Sequence, residues 1–278
     1  MCGDKPVAAY TRKDASRFRD LIERLPQDYS KNPRYRSLTV EQILAAHTVL
    51  APETRPAPIT QKTVKRHFSA LSTLWTAAAA KDEAAANIFS GFRFANNRKA
   101  SEQRDMWERA DLHRLFTTPV WIGCATATRR TTPGSLILRD EKFWLPLIAV
   151  FSGLRQEEIC QLQVEDIRQD EDIWYLDIND RPPRKLKNAT AVRRVPVHAE
   201  LIRLGFLTHV EAQRRRRQTR IFANLTPGGA DGRLGHAFTK WFTRYRREVG
   251  LYRPGLDFHS FRHTATTLMH QAGVAAAV

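Results

Sequence analysis

A chain of 278 residues in which Lys and Arg outnumber Asp and Glu by 45 to 29 carries a formal net charge of +16. That length supports one large or two smaller domains without covalent staples, and the cationic surplus favours a polyanionic partner, nucleic acid above all, because phosphates and released counterions reward it. The three cysteines, Cys2, Cys124 and Cys160, are far apart and in no CxxC spacing, which excludes a disulfide framework and a cysteine-based zinc site and points to a reducing, cytoplasmic compartment. The N-terminus, MCGDKPVAAYTRKD, lacks the apolar run of a signal peptide, and the longest apolar stretch, FWLPLIAVF at 143–151, is too short to span a bilayer. No membrane partner is expected.

The first elements read as helices. In TRKDASRFRDLIERLP, Thr11 caps and Asp14 sits at the reciprocal third position. Phe18, Leu21, Ile22 and Leu25 form one apolar stripe, and Pro26 stops the helix. A second helix runs through TQKTVKRHFSALSTLWTAAAA, with Val64, Phe68, Leu71, Trp75 and Ala78 as its buried face. Lys62, Lys65, Arg66 and His67 crowd its first turns, either as a solvated face or as a helix laid against DNA phosphates. The polar, basic stretch FANNRKASEQRD at 94–105 has little periodicity and reads as an interdomain linker, with Arg98 and Lys99 as further DNA contacts. It divides the chain into a helical domain at 1–97 and a second domain at 98–278, expected to clamp a duplex between them.

Beyond the linker, ERADLHRLF resumes helix and 143–151 supplies a core. IWYLDI and AVRRVPV are short, rich in β-branched and aromatic residues, and flank the loop NDRPPRKLKNAT, which predicts a long hairpin. Helical patterns return in HAFTKWFTRYRREVG and in HSFRHTATTL. The fold class is therefore mainly α with a small antiparallel β-sheet, a helical domain followed by an α+β domain. No internal repeat is evident. The run RRRR at 214–217, beside Glu211 and Gln218, reads as a solvated helix face or a subunit contact as readily as a DNA contact.

Three cationic sites carry candidate chemistry. In SGLRQEEICQLQVEDI, Gly153 precedes a helix whose Leu154, Ile159 and Leu162 face a core, and Arg155 lies in its first turn. A helix start favours anions, and an arginine adds a bidentate fork for phosphate oxygens. Glu158 is placed to hold that guanidinium, although the two residues also read as a plain surface pair. In the hairpin loop, Arg184, Lys185 and Lys187 are candidates to reach into a groove, or ordinary solvated cations. In HSFRHTATTL, His259 and Arg262 are three apart and share one helical face, so both can meet one phosphate. His263, four from His259, has the spacing of a zinc pair, but Ser260 stands where HExxH has glutamate and no third ligand is placed, so no metal is expected.

Arginine at one helix start, lysine in a hairpin and HxxRH at another helix start is the layout of the tyrosine recombinases, the phage-integrase family, which this sequence resembles. GLRQEEICQL is similar to the family's TGLRxxELxxL box, KNATAVRRVPVH to its lysine hairpin ending in R-x-VP, and DFHSFRHTATTLMHQAG to its HxLRHTxATxxxxxG box. RFRDLIERLP and NIFSGF look like parts of its helical core-binding domain.

The resemblance implies a core-binding domain followed by a catalytic domain, double-stranded DNA as partner, self-association on DNA as a tetrameric synapse, and a nucleoid-associated protein of a mobile element. It implies cleavage by a tyrosine that leaves a 3′-phosphotyrosyl bond and a free 5′-hydroxyl, with no cofactor, neither metal nor ATP. Arg155 and Arg262 would stabilise the phosphate charge and Lys187, whose distance to the Val195–Pro196 step best fits the family's hairpin, would be the general acid. His259 would accept the tyrosine proton or hold the phosphate, with Glu158 and His263 in support.

The family also requires a His or Trp in an LGH-like turn and then the nucleophilic tyrosine, whereas this sequence ends in GVAAAV. The six tyrosines, Tyr10, Tyr29, Tyr35, Tyr175, Tyr245 and Tyr252, all precede His259. The chain is thus expected to be a fragment or truncated product, inactive alone. It is either a recombinase core or a DNA-binding remnant that no longer cuts. The integrase-like helical domain and the compact spacing argue against a type IB topoisomerase.

Overall fold

Local capping chemistry starts the first helices. The computed structural model describes residues 4–95, 105–188 and 191–274, so Arg98, Lys99 and most of the expected linker lie outside the described residues. Its contacts fall into two units, Met1–Lys99 and Ala100–Val278.

In the first unit, α1 (Arg12–Ile22) begins where the Thr11 amide donates to Asp14 Oδ2 at 2.8 Å. That bond, with Lys5 beside it, holds the Asp14 carboxyl at about 2. The helix ends one turn before the expected stop at Pro26. The residue before a proline avoids the helical region, and here the chain turns instead into extended pairing, with Ile59 N donating to Leu25 O and Gln27 N to Ala57 O, both at 2.8 Å. Helix α2 (Val40–Val49), which was not among the elements expected from the sequence, starts at a reciprocal capping box of Thr39 and Gln42 with bonds of 2.8 and 3.3 Å. Helix α3 (Gln61–Ala79) buries Val64, Phe68, Trp75 and Ala78, with Leu71 half-buried. Phe68 is the hub of this core, its ring 4.9 to 5.7 Å from those of Phe18, Phe89, Phe92 and Phe94.

The second unit is organised around α6 (Glu141–Ser152). Its apolar residues surround the axis, as expected of a helix buried on all sides, and Trp144, Leu145, Ile148 and Ala149 are fully buried. Before it come α4 (Arg109–Phe116) and α5 (Pro119–Ile122). Asp140 caps α6 by accepting from the amides of Lys142 and Phe143, and it is itself held by the buried Arg130 guanidinium at 2.7 and 2.6 Å. After α6 follow α7 (Gln156–Cys160) and an antiparallel sheet of order β1–β2–β3.

The hairpin strands β2 (Ile173–Ile178) and β3 (Arg193–Pro196) pair with Leu176 opposite Val195 and Ile178 opposite Arg193. Strand β1 (Ile167–Asp170) was not foreseen, because IRQD is short and polar. The chain then forms α8 (Ala199–Arg203), α9 (Phe206–Arg215), α10 (His236–Glu248) and α11 (Ser260–Gln271). Helix α11 packs on α6. It is fastened by Thr264, which accepts from Trp107 N at 2.8 Å and donates to Trp107 O at 3.1 Å, and by Phe261 stacked on the Trp107 ring at 4.9 Å. No helix among the described residues is long and apolar enough to cross a membrane.

Candidate active site

Helix α6 ends at Gly153, whose φ of +64° and amide bond to Ala149 O at 2.9 Å make it a left-handed C-cap. The turn leaves the Gly153 carbonyl facing α11, where it accepts from Arg262 Nη1 at 2.6 Å. Two residues on from Gly153, Arg155 stands in extended backbone as the N-cap of α7, not in its first turn as read from the sequence. Leu154 and Leu162 flank this five-residue helix instead of lying on it, and both are buried. So short a helix has little dipole of its own, and the anion-binding capacity here comes from guanidinium groups. A side chain at Gly153 is disfavoured by the positive φ, and its Cβ would also meet Ala265 Cβ at 3.4 Å. Gly153→Ala is therefore expected to cost about 1–2 kcal/mol, seen as a lower urea midpoint at unchanged m-value.

Glu158 is buried, so the Arg155–Glu158 contact is no surface pair. Glu158 Oε1 accepts from Arg155 Nη1 at 2.8 Å, and Oε2 accepts from Arg155 N at 2.9 Å and from Arg193 Nη2 at 2.8 Å. Burial pushes its carboxyl up, but the bonds from Arg193 and Arg155 outweigh that and hold it below its usual range. The Arg262 guanidinium is shifted down, first by burial and then by the positive charge of Arg155. Arg193 adds to that shift and Glu158 opposes it. Arg155 and Arg262, 107 positions apart by number, therefore share one electrostatic environment.

The hairpin loop sorts its cations. Arg184, read as a candidate to reach outward, has a side chain only 3% exposed. Its Nε and Nη2 each donate to Asp166 at 2.7 Å, and Asp166 also accepts from Gln163 N and Asn179 Nδ2. Arg184 fastens the loop and is not available to a groove. The Lys185 backbone is held on both sides by the Gln161 side chain, at 2.8 and 3.0 Å, and Leu186 packs on the core. Lys187 follows as an exposed residue with no ion pair among the described residues. Asp166→Ala would leave the buried Arg184 guanidinium with the exposed Glu165 as its one carboxylate partner among the described residues, so the expected loss in equilibrium unfolding lies near the lower end of the roughly 3–5 kcal/mol of a broken buried pair.

In α11, Asp257 and Ser260 cap each other reciprocally at 3.0 and 3.1 Å. His259 is the half-buried N-cap residue, and the exposed His263 ring stands edge-on to it at 5.3 Å. In the first unit, Lys62, Lys65 and Arg66 are exposed on α3, opposite Val64 and Phe68, and form no ion pair among the described residues. In the 214–217 run, Arg214 and Arg215 pair with Glu211 at 2.7 and 3.5 Å on the exposed end of α9. Sequence reasoning missed Arg193 and Gln161. The R-x-VP pattern contained Arg193, but only the pleat of β3 shows which of two adjacent arginines turns to Glu158.

The sequence pattern of the phage integrase family matches residues 132–278, more than half of the chain. No curated protein sequence is significantly similar to it. Among solved structures, a lambda integrase dimer bound to a COC' core site has a TM-score of 0.54 at 14% identity, over 97% of this chain and 74% of that one. The Tn1549 transposon integrase in complex with circular intermediate DNA has a TM-score of 0.51 at 14% identity, over 90% and 87%. XerH site-specific recombinase bound to palindromic difH substrate has a TM-score of 0.51 at 19% identity, over 77% of this chain and 57% of that one. These likenesses show a common fold, and with the family match over more than half its length the chain belongs to the phage integrase family of tyrosine recombinases.

Proposed function

We propose that the chain binds double-stranded DNA and activates one backbone phosphate for site-specific strand cleavage and rejoining through a 3′-phosphotyrosyl link. The observation that carries this reading is the meeting of Arg155 and Arg262 about Gly153 and Glu158. The net charge of +16 and the DNA-bound state of the three solved relatives support it.

In this reading a tyrosine oxygen forms a bond to phosphorus as the bond to the 5′-oxygen breaks, so the phosphodiester energy is kept in the covalent link and neither metal nor ATP is consumed. Arg155 and Arg262 stabilise the charge on the non-bridging oxygens. His259 takes the tyrosine proton or holds the phosphate, and Lys187 gives a proton to the leaving 5′-oxygen. Glu158 positions Arg155, and His263 supports His259. Residues 1–97 act as the core-binding domain, with Lys62, Lys65 and Arg66 on DNA phosphates and Arg98 and Lys99 as further contacts in the linker. The protein self-associates on DNA and acts at the nucleoid.

The alternative reading is a chain that binds DNA without cutting it. Trapping on a nicked suicide substrate separates the two. A covalent adduct that needs both Arg155 and Arg262 supports cleavage. Tight binding without an adduct, in a chain extended by a family-type tyrosine segment, leaves only binding.

A further inference from the structure

The site holds more positive charge than its one carboxylate balances. Arg155 and Arg193 both bond Glu158, and Arg262 lies within the field of all three. The other acidic groups nearby are committed elsewhere. Glu157 accepts from the amides of Leu234 and Gly235, and Asp166 holds Arg184. Three guanidinium groups against one carboxylate leave two net positive charges, an arrangement whose self-repulsion an incoming anion relieves.

Arg193 is not needed merely to orient Glu158, which the Arg155 backbone and side chain already bond. Nor is it consumed by its partners. A guanidinium has five N–H donors, and Arg193 spends Nη2 on Glu158 and Nη1 on Ala191 O at 2.7 Å, with a longer 3.5 Å contact to Glu158. Its side chain remains 31% exposed, close to the 32% of Arg155. Strand alternation separates it from its neighbour. Arg194 points to the other face, where it pairs with Asp170 at 2.9 Å and lies 4.9 Å over the Tyr175 ring.

We propose that Arg193 is a third guanidinium ligand of the DNA phosphate bound by Arg155 and Arg262. The assignment rests on the DNA-binding reading above. It also gives β3 a direct role, because the strand that follows the Lys187 loop then contributes its own contact to the same phosphate.

The test uses residues 1–278 with a mixed-sequence duplex and reads the slope of log affinity against log salt, which a purely structural strut does not move. Each neutralised phosphate contributes about 0.9 to that slope. Because the three arginines share one phosphate, Arg193→Gln, which keeps an amide donor toward Glu158, and Arg193→Ala are each expected to lower the slope by a part of that value, as Arg155→Ala and Arg262→Ala do, and the triple alanine variant by about 0.9. Arg194→Ala should keep the full slope. Circular dichroism confirms that each variant is folded. If the Arg155 and Arg262 variants lose slope while Arg193→Gln retains it, Arg193 is a strut and the proposal fails alone. If all three positions retain the slope, the phosphate site itself is wrong. An equal loss in Arg194→Ala would mark a general charge effect and overturn the assignment.

Discussion

The affinity of residues 1–278 for duplex DNA is expected to fall by a factor on the order of 10³ between 50 and 200 mM salt, if about six phosphates are neutralised. The charge that drives this is spread over both units. In the first, Lys62, Lys65 and Arg66 stand on the solvent face of α3 without acidic partners among the described residues. In the second, the arginines about Glu158 carry a local surplus. Surface cations already paired with carboxylates, such as Arg214 with Glu211, release fewer counterions when DNA arrives and contribute less. Replacing Lys62, Lys65 and Arg66 together by Ala should flatten the salt slope by about 0.9 for each phosphate that is no longer neutralised. Fluorescence anisotropy across a salt series measures both effects. An affinity almost indifferent to salt would remove the electrostatic basis of the reading.

The parts of the fold that were legible are those whose signals are local. The Thr11–Asp14 cap and the Val64, Phe68, Trp75 and Ala78 spacing predicted α1 and α3, because a cap and a 3.6-residue period act within one helix. Helix α2 carries the same kind of cap at Thr39 and Gln42, an equally local signal in a stretch whose apolar periodicity is weaker. Residues 123–139 were opaque for a different reason. There the backbone closes on itself, with Cys124 and Leu136 exchanging bonds of 2.9 and 3.0 Å, and a Cβ at Gly123 would come within 2.3 Å of Gly134 O. Nothing local announces that approach.

The site divides in the same way. Arg155, His259 and Arg262 lie in short motifs at helix starts, and those motifs were readable. The fates of Arg184 and Arg193 were not. Both are arginines in or beside one hairpin, and composition treats them alike. Burial of Asp166 captures the first, and the pleat of β3 turns the second toward Glu158. Which cation is structural and which faces the site is decided by carboxylates from elements distant in sequence.

Residues 1–278 by themselves are expected to form no covalent adduct on a nicked suicide substrate. The tyrosines available to them are poorly suited to attack. Tyr245 is buried, donates to Thr118 Oγ1 at 2.7 Å and accepts from Val120 N, and burial raises its hydroxyl further from ionisation. Tyr35 and Tyr175 are buried, and Tyr252, although 42% exposed, has its ring packed against the Arg247 guanidinium at 4.5 Å. Joining a segment with an LGH-like turn and a tyrosine after Val278 should produce the adduct.

In that extended protein, Arg155→Ala or Arg262→Ala should slow adduct formation by a factor on the order of 10² to 10³, the usual effect of losing one transition-state stabiliser. DNA affinity should change far less, since each arginine is one of about six phosphate contacts. That split between rate and binding is the signature of a group that acts on the reacting phosphate. The assay belongs at protein concentrations where one chain occupies each duplex, so that no neighbour supplies a tyrosine. An adduct from residues 1–278 alone, mapped by mass spectrometry to Tyr245 or Tyr252, would show that an upstream tyrosine attacks and would overturn the assignment of the nucleophile to a segment after His259.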